Sequence, residues 1–386
     1  MFHESIIIGI YGIQGVGKSY LLNQIAKERI EWRIVDGSTL IRNVLEERGQ
    51  NMEDFDKMDS SEKATVRKFA IERTKQTAGV TLIAGHCSFP CNELDNDGVA
   101  KFNDVFTEAD GSIYDLIVYL EKPISKIMEQ VDNDKQRARK IYQKHILQQW
   151  VDYEKSALED KCSTYGIDYC VFSSVESNDH SKLISLIVER VVVPASKRAQ
   201  VRSERELVEV IKKDIPAADV YLLIDGDGTL CSQDSGTFFF DQLKSNGEPK
   251  PSLQQIFKRY NEYCFQAFWE VSMLYINAVV PERYSALCES IGKDHVKVFP
   301  AWKVFLNKIP KNVHPIIVSS SIREVWLSMQ HNESEHDGIQ RLSIIAGNNM
   351  MLHPYLVDDN AKAIVAKTLR KLHGGCRIIS FGDSGT

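Results

Sequence analysis

The sequence lacks several features that would place it in large classes of protein. It has no apolar run near the roughly 18 residues that a membrane helix needs, and Met1–Glu4 lacks the basic segment that begins a signal peptide. Its eight cysteines form no C-x-x-C pair, and the closest two, Cys87 and Cys91, are followed by no matching pair of zinc ligands. We therefore expect a cytoplasmic protein with reduced thiols and no membrane partner.

The charge balance also lacks the excess of basic residues that is typical of proteins held on long nucleic acids. The formal net charge is −6 and the pI is near 6.0, so a nucleic-acid partner is not expected, although a local basic channel stays open. With 386 residues, 43% of them hydrophobic, the chain should divide into two or three domains of about 100 to 200 residues each, and we expect two. It contains no internal repeat and no low-complexity segment.

A glycine-rich segment near the N-terminus has the pattern of a phosphate-binding loop. Gly12–Ser19 reads G-x-x-x-x-G-K-S and lies between the apolar run Ile6–Tyr11 and a predicted helix. Strand, glycine loop and helix in this order direct backbone N–H groups toward an anion at the helix N-terminus. Lys18 is expected on the β- and γ-phosphates, and Ser19 on Mg²⁺. The residues predicted to bind the nucleotide are Gly12, Gly15, Gly17, Lys18, Ser19 and Tyr20. The alternative is a glycine-rich turn that binds nothing.

The segments that follow alternate between predicted strands and helices. The strands are predicted at Glu31–Val35, Val80–Ala84 and Leu116–Leu120, and polar helical stretches and a basic helix follow them. The second and third of these strands are almost wholly apolar, as expected for parallel strands that are buried on both faces. This alternation predicts a doubly wound α/β domain.

Residues 1 to about 175 resemble a P-loop nucleoside monophosphate kinase, nearest in layout to the archaeal-type adenylate kinases. The resemblance depends on the glycine loop, a helical segment after Asp36–Gly37, and a strand that ends just before Gly85 and His86. It also depends on the strand Asp115–Val118 and the arginine-bearing helix after it. The resemblance implies ATP and Mg²⁺ as cofactors and a nucleotide or small phosphorylated metabolite as partner.

The resemblance also implies roles for four further residues. Ser38 and Arg42 would lie near the acceptor, and Arg137 and Arg139 would close over the transferring phosphoryl group as a catalytic lid. Arginine suits this role because its planar fork matches phosphate oxygens bidentately. The alternatives are that the two lid arginines form a solvated helix face and that His86 is a core histidine with satisfied hydrogen bonds.

The sequence departs from the family at the end of the third predicted strand. These kinases usually carry an acidic residue there, whereas this chain has Ala84. A bound Mg²⁺ would then rely on Ser19, water and nucleotide oxygens. Nucleotide binding is therefore better supported by the sequence than rapid transfer.

The composition predicts a boundary between two domains. We expect a kinase domain over residues 1–193, a linker over 194–217 with a short helix at Ser203–Lys213, and a second domain over 218–386. Within the second domain, an aromatic-rich helical region at about 232–298 is expected to form a cap.

The second domain resembles the haloacid dehalogenase superfamily in four motifs. The apolar run Val220–Ile224 precedes Asp225–Leu230, which reads D-G-D-G-T-L. A strand then ends at Ser319, Lys362 lies farther on, and Ile378–Ser384 ends in an acid. The resemblance implies a second parallel α/β domain with a helical cap of the phosphoserine phosphatase-like branch, and an Mg²⁺-dependent phosphatase activity.

The chemistry of this family requires these residue types. Asp225 would attack phosphorus to form an aspartyl-phosphate, and Asp227 would act as general acid and then base. Ser319 and Lys362 would hold the phosphoryl oxygens. Asp225, Asp227 through its carbonyl, and Asp383 would bind Mg²⁺, which offsets the repulsion among the anions.

Two points in the second domain stay open at the level of sequence. Arg323 either helps to bind phosphate or lies on the surface. The resemblance leads us to expect a further acid beyond Thr386, so that the chain is either a fragment or a phosphatase domain that has lost its last elements.

Three functions are compatible with these patterns. The first is a bifunctional enzyme that joins a kinase of a nucleotide or small metabolite to a phosphomonoesterase. The second is a polynucleotide 5′-kinase and 3′-phosphatase that repairs strand ends, which the acidic charge balance disfavours. The third is an ATP-binding regulatory module with one active catalytic half or none.

Overall fold

The computed structural model describes residues 5–76, 79–94, 100–133, 141–173, 179–243, 253–260, 263–347 and 353–382. The chain divides into two compact units, an N-terminal unit over Glu4–Pro194 and a C-terminal unit over Ala195–Thr386. Over the described ranges, no helix combines the length and the apolar character that crossing a membrane would require.

The N-terminal unit contains a five-stranded parallel sheet and a separate antiparallel hairpin. Its described strands are β1 (Ser5–Tyr11), β2 (Arg33–Asp36), β3 (Gly79–Ala84), β4 (Ser88–Leu94), β5 (Ala100–Asp104), β6 (Leu116–Glu121) and β7 (Asp168–Ser173). The sheet order is β2-β3-β1-β6-β7, and β4 pairs with β5. The inner strands β3, β1 and β6 are buried along nearly their whole length, as their apolar sequences predict.

Helices connect these strands. They are α1 (Lys18–Glu28), α2 (Gly37–Glu47), α3 (Met52–Lys57), α4 (Ser60–Glu72), α5 (Glu108–Gly111), α6 (Ile124–Asn133), α7 (Lys144–Tyr165) and α8 (Asp179–Ile187), followed by a π-helical segment at Val188–Val192. Capping boxes begin α3 at Asn51 and α4 at Asp59, where the cap side chain and the N3 side chain bond each other's backbone. The predicted basic helix is described only from Lys144 onward, because residues 134–140 lie outside the described ranges.

The C-terminal unit contains a four-stranded parallel sheet in the order β10-β9-β8-β11. Its described elements are α9 (Val193–Asp214), β8 (Val220–Ile224), α10 (Ser235–Leu243), α11 (Leu253–Phe257), α12 (Phe265–Ala278), α13 (Pro281–Ser290), α14 (Pro300–Lys308), β9 (Val313–Ser319), α15 (Arg323–Asn332), α16 (Asp337–Gln340), β10 (Ser343–Ala346), α17 (Ala361–Leu372) and β11 (Arg377–Phe381). The predicted α/β class with parallel sheets is thus confirmed.

Most of the stretch predicted as a linker is helix. Residues 193–214 form the continuous helix α9, which is longer than the short helix expected there. Leu207 and Ile211 lie one turn apart and pack on Tyr221 and Ile316 of the sheet, so the helix is held by an apolar stripe.

The described residues between β8 and β9 are largely helical, and they include most of the stretch that the sequence predicts as a cap. Its aromatic side chains form a core, in which Phe239 packs against Tyr275 with ring centroids 5.1 Å apart and against Tyr284 at 5.3 Å. Trp269 is also buried. Most of these aromatic residues therefore stabilise the helices.

Candidate functional sites

The phosphate-binding loop has the backbone conformation that its glycines predict. Gly12, Gly15 and Gly17 all have positive φ, at 145°, 82° and 101°. A Cβ atom on Gly12 would lie 2.8 Å from the carbonyl oxygen of Leu120, so the backbone approaches its neighbour as only glycine permits. Gly17 caps α1 without a side-chain hydrogen bond. This arrangement fits the phosphates of a nucleotide.

Lys18 folds back over this loop. Its Nζ donates to the carbonyl oxygens of Gly12 and of Ile13, the latter at 3.3 Å, and lies 3.3 Å from His86 Nε2. The His86 ring is half-buried, lies 4.9 Å from Phe89 and stacks on Trp150 with centroids 6.0 Å apart. Of the two sequence interpretations of His86, the structure therefore favours a residue of the site.

A cavity of about 1240 Å³ opens beside the loop. Five of the six residues predicted to bind the nucleotide line it, among them half-buried Ser19. The sixth, Gly12, accepts a hydrogen bond from Lys18 through its carbonyl oxygen. Tyr20 lines the cavity with 65% of its surface exposed. Arg137 and Arg139, the predicted lid, lie outside the described residues.

The junction of β2 and α2 forms another part of the cavity surface. Asp36 caps α2, and its Oδ1 accepts from the amide of Ser38 at 2.9 Å and from its hydroxyl at 2.7 Å. Asp36 of β2 is in register with Ala84 of β3. Its carboxylate therefore lies on the strand next to the position where the resembled kinases usually carry an acidic residue. The cavity therefore has an acidic residue near the loop although β3 ends in alanine.

Arg42 does not lie where the resemblance implied. It is exposed on α2 and does not line the cavity, whereas Leu40 and Val44 of the same helix are buried. The reason is the helical period. Arg42 is two positions from Leu40 and two from Val44, so it points to the face opposite these buried residues.

Two basic residues of α4 line the cavity and were not predicted. The guanidinium carbon of Arg67 lies 5.4 Å from the ring centroid of Phe55, and Lys63 Nζ lies 5.9 Å from it. Burial lowers the pKa of Arg67, and the charge of Asp110 opposes this shift. Burial in turn raises the pKa of Asp110, although Thr107 donates two hydrogen bonds to its carboxylate. A cationic residue thus faces the cavity with its charge only partly offset.

The helix α6 is attached to the glycine loop. With its amide oriented to satisfy both neighbours, Gln130 donates to the carbonyl of Gly15 at 2.7 Å and accepts from Lys122 Nζ at 3.2 Å. Burial lowers the pKa of Lys122, and Asp179 opposes the shift. Lys122 was not predicted as a site residue, because no sequence pattern indicates that it lies near the glycine loop.

In the C-terminal unit, the predicted site residues that the structure describes meet at the carboxyl edge of the sheet. Asp225 follows β8, and its amide donates to the carbonyl of Phe381 at 3.0 Å. Lys362 Nζ lies 3.3 Å from Asp225 Oδ1. A Cβ on Gly226 would lie 2.8 Å from Ser319 Oγ, so the serine hydroxyl is next to this segment. Asp383 lies outside the described residues.

Asp227 has the environment of a proton-transfer group. Its Oδ2 accepts from the amide and the hydroxyl of Ser235, at 3.2 and 3.0 Å, while its buried Oδ1 has no partner among the described residues. Burial and, next to it, the charge of Asp234 raise the pKa of Asp227 to about 7. A carboxyl with this pKa is able to give and to accept a proton near neutrality.

Ser319 is held by a short hydrogen-bond chain. Its hydroxyl lies 2.7 Å from Ser321 Oγ, which accepts from the indole of Trp326 at 2.6 Å. Arg323 is half-buried at the start of α15, and its Nε has no partner among the described residues. A purely surface arginine would be fully exposed, and Arg323 is not.

The described residues include no cluster of three or more His, Cys, Asp or Glu side chains arranged to bind a metal. The carboxyl group of Asp225 and the backbone carbonyl of Asp227 provide part of an oxygen-rich site, and the Oδ1 of Asp227, which has no partner among the described residues, can accept a proton. These groups are compatible with the Mg²⁺ that the sequence predicts.

Comparison with known proteins provides matches for the N-terminal unit. A family described as an AAA domain matches residues 11–147, about a third of the chain, and this confirms the P-loop α/β fold there. No curated protein matches the chain.

Several solved kinase structures are similar at low identity. Shikimate kinase from Acinetobacter baumannii in complex with shikimate is 13% identical, with a TM-score of 0.34 over 49% of this chain and 97% of that one. A sugar kinase from Janibacter sp. HTCC2649 is 12% identical, with a TM-score of 0.29 over 48% and 94%. A gluconokinase from Sinorhizobium meliloti 1021 is 14% identical, with a TM-score of 0.27 over 48% and 97%. At these values the matches do not bear on substrate or reaction.

Proposed function

We propose that the N-terminal unit is a kinase that transfers the γ-phosphoryl group of MgATP to an anionic small metabolite or nucleotide. The observation that carries this proposal is a single cavity of about 1240 Å³ that is lined by the glycine loop and also by Asp36, Lys63 and Arg67. The loop supplies amides for a triphosphate, and the two basic residues supply charge for an acceptor anion.

The residues of this chain then have distinct roles. Lys18 leaves the loop carbonyls for the β- and γ-phosphates, and Ser19 is the residue that would hold Mg²⁺. Bound Mg²⁺ would reduce the charge repulsion between the phosphates and an incoming nucleophile. When the acceptor is a hydroxyl, Asp36 takes its proton as the oxygen forms a bond to the γ-phosphorus and the bond to ADP breaks. Arg137 and Arg139 remain candidates for the lid.

A transfer assay with labelled ATP tests the kinase proposal. The acceptor panel contains nucleoside monophosphates, sugars, hydroxy acids and 5′-hydroxyl oligonucleotides. We expect Lys18→Ala to abolish transfer and Arg67→Ala to raise the acceptor KM about 10- to 100-fold, as expected for loss of a charged hydrogen bond. Arg42→Ala, a change at an exposed arginine of α2, is the matched control.

Three outcomes would change the proposal. Transfer that survives Lys18→Ala contradicts it. Preference for oligonucleotides favours the end-repair enzyme, and ATP binding without transfer to any acceptor favours the regulatory module.

We propose further that the C-terminal unit hydrolyses phosphomonoesters through an aspartyl-phosphate. The proximity of Asp225 to Lys362, with Asp227 near its pKa at neutral pH, supports this reaction. Asp225 forms a bond to phosphorus while Asp227 gives its proton to the departing ester oxygen. Asp227 then takes a proton from water as that water releases phosphate from Asp225. Ser319 and Lys362 hold the phosphoryl oxygens.

Hydrolysis of p-nitrophenyl phosphate with Mg²⁺ tests the phosphatase proposal. We expect Asp225→Asn to reduce the rate by at least about 1000-fold, because no covalent intermediate can form. Asp294→Asn, at an exposed aspartate of the same unit, is the control. Unchanged hydrolysis in Asp225→Asn would contradict the assignment.

A further inference from the structure

The buried face of α7 carries one acidic residue. Leu147, Val151 and Leu158 form an apolar stripe on this helix, and Glu154 occupies a position in the same stripe with 0% of its surface exposed. Burial of a carboxylate costs several kcal/mol unless hydrogen bonds and charges compensate. The groups that Glu154 contacts therefore indicate its role.

Glu154 holds the segment between β3 and β4. Its Oε1 accepts from the amides of Cys87 and Ser88, at 3.0 and 2.9 Å. Trp150, one turn earlier on α7, donates its indole N–H to the carbonyl of Ser88 at 3.1 Å and stacks on the ring of His86. Two residues of α7 thus fix the position of residues 86–88.

This segment contacts the phosphate loop through His86. Because an ammonium only donates, His86 Nε2 accepts from Lys18 Nζ, which places the ring proton on Nδ1. The charge of Lys18 also acts on Glu154. Burial raises the pKa of Glu154 to about 7, and the amides of Ser88 and Cys87 together with Lys18 oppose the shift.

The surroundings of Glu154 can accommodate a proton on its free oxygen. Oε2 has no partner among the described residues, and the hydroxyls of Ser88 and Tyr119 also have none there. The charged and titratable groups that face Glu154 are Lys18 from α1, Cys87 from the segment and Tyr119 from β6. Burial, and next to it the charge of Glu154, raises the pKa of Tyr119, so Tyr119 stays neutral.

We propose that Glu154 is a positioning residue of the phosphate site, which holds His86 against Lys18 and takes up a proton when Lys18 turns from His86 to a nucleotide phosphate. The inference rests on the proposed nucleotide binding. A bound phosphate would raise the pKa of Glu154 in two ways. It offsets the positive charge of Lys18, and it adds negative charge of its own. The proton comes from the buffer, and the O–H bond on Glu154 is the only covalent bond formed.

Calorimetry of MgATP binding in buffers of different ionisation enthalpy measures this proton. Because the pKa of Glu154 in the free protein is raised to about 7, we expect an uptake of up to about 0.5 proton per nucleotide at pH 7. The uptake should fall toward zero at about pH 5.5, where Glu154 already carries its proton, and should rise as the pH increases through 7. Glu154→Gln should bind MgATP with almost no uptake, and Glu159→Gln, at an exposed glutamate of the same helix, should retain it.

The outcomes separate this inference from the kinase proposal. Binding of MgATP without proton uptake, or with equal uptake in Glu154→Gln, overturns the inference alone. Failure to bind MgATP overturns nucleotide binding. In that case a ¹³C NMR titration of the glutamate carboxyl groups tests the coupling between Lys18 and Glu154. Lys18→Met should raise the pKa of Glu154, and an unchanged titration refutes the coupling. If Glu154→Gln does not fold, the pH profile of the unmodified protein gives the decision.

Discussion

Replacement of Asp227 by asparagine tests whether folding forces this carboxyl toward its neutral form. The side chain accepts two hydrogen bonds from Ser235 and has one buried oxygen without a partner among the described residues. Asparagine has nearly the same shape and carries no charge. The variant therefore resembles the protonated aspartic acid and removes the effect of pH at this position.

The sign of the effect follows from the direction of the pKa shift. Folding raises the pKa of Asp227 from 3.8 to about 7, so its contribution to stability is complete below pH 3.8 and is lost as the pH rises through 7. Each pH unit between the two values is worth about 1.4 kcal/mol, which gives an upper limit of about 4 kcal/mol at pH 8. Because the residue is only half-buried, we expect solvent screening to reduce the effect to about 1 to 3 kcal/mol.

Urea unfolding between pH 4 and pH 8 provides the measurement. EDTA is included, since Mg²⁺ would favour the charged carboxylate. The two units need not unfold together, so hydrogen exchange of the β8 amides reports the stability of the C-terminal unit separately. Asp227→Asn should be the more stable protein at pH 8 and should show a flatter pH profile.

Asp294→Asn controls for the loss of a carboxylate in the same unit, because Asp294 is exposed. This control should follow the pH profile of the unmodified protein. Parallel profiles for Asp227→Asn and the unmodified protein would refute the reasoning, since they would mean that Asp227 has the same pKa in the folded and unfolded chain.

Two glycine substitutions test close packing near the sites. Gly226→Ala should destabilise the C-terminal unit by about 1 to 3 kcal/mol in chemical unfolding, because the added Cβ overlaps the indole of Trp326. Gly37→Ala should destabilise the N-terminal unit by a similar amount, of about 1 to 3 kcal/mol, because the new Cβ would lie 2.8 Å from the carbonyl oxygen of Ala84. Gly374→Ala, where no atom lies within 4 Å and φ is not positive, should change the unfolding free energy little; equal effects at all three positions would contradict the packing argument.

The parts of the fold that the sequence could predict are those with a local signal. The apolar runs that became β1, β3, β6 and β8 identified the buried parallel strands, because both faces of such strands exclude polar residues. The glycine loop was predictable because its positive φ angles require glycine at fixed positions.

The hairpin of β4 and β5 was not predicted. Ser88–Leu94 contains Pro90 and polar residues, and its pairing with Ala100–Asp104 has an irregular register. Sequence rules treat proline within a run as evidence against a strand. The hairpin depends on α7, which contacts it through Trp150, and that contact is not visible from the sequence.

The basic side of the N-terminal cavity could not be predicted from the sequence either. Arg67 lies on a polar helix among several charged residues, and only the tertiary arrangement distinguishes it from exposed Arg42. Glu154 did carry a signal, since an acid interrupts the apolar spacing of Val151 and Leu158. Acidic residues are almost never fully buried unless they are paired, so an acid within an apolar stripe indicates a special role.

The order of the C-terminal sheet has a consequence for how this protein is made. The strand before Asp225, β8, pairs with β9 on one side and with β11 on the other, and β11 leaves the ribosome last of the four. Until β11 has been synthesised, β8 exposes an open edge that other chains could pair with. We therefore expect nascent chains to depend on chaperones over this interval, and the pocket around Asp225 to form only after translation has passed Phe381.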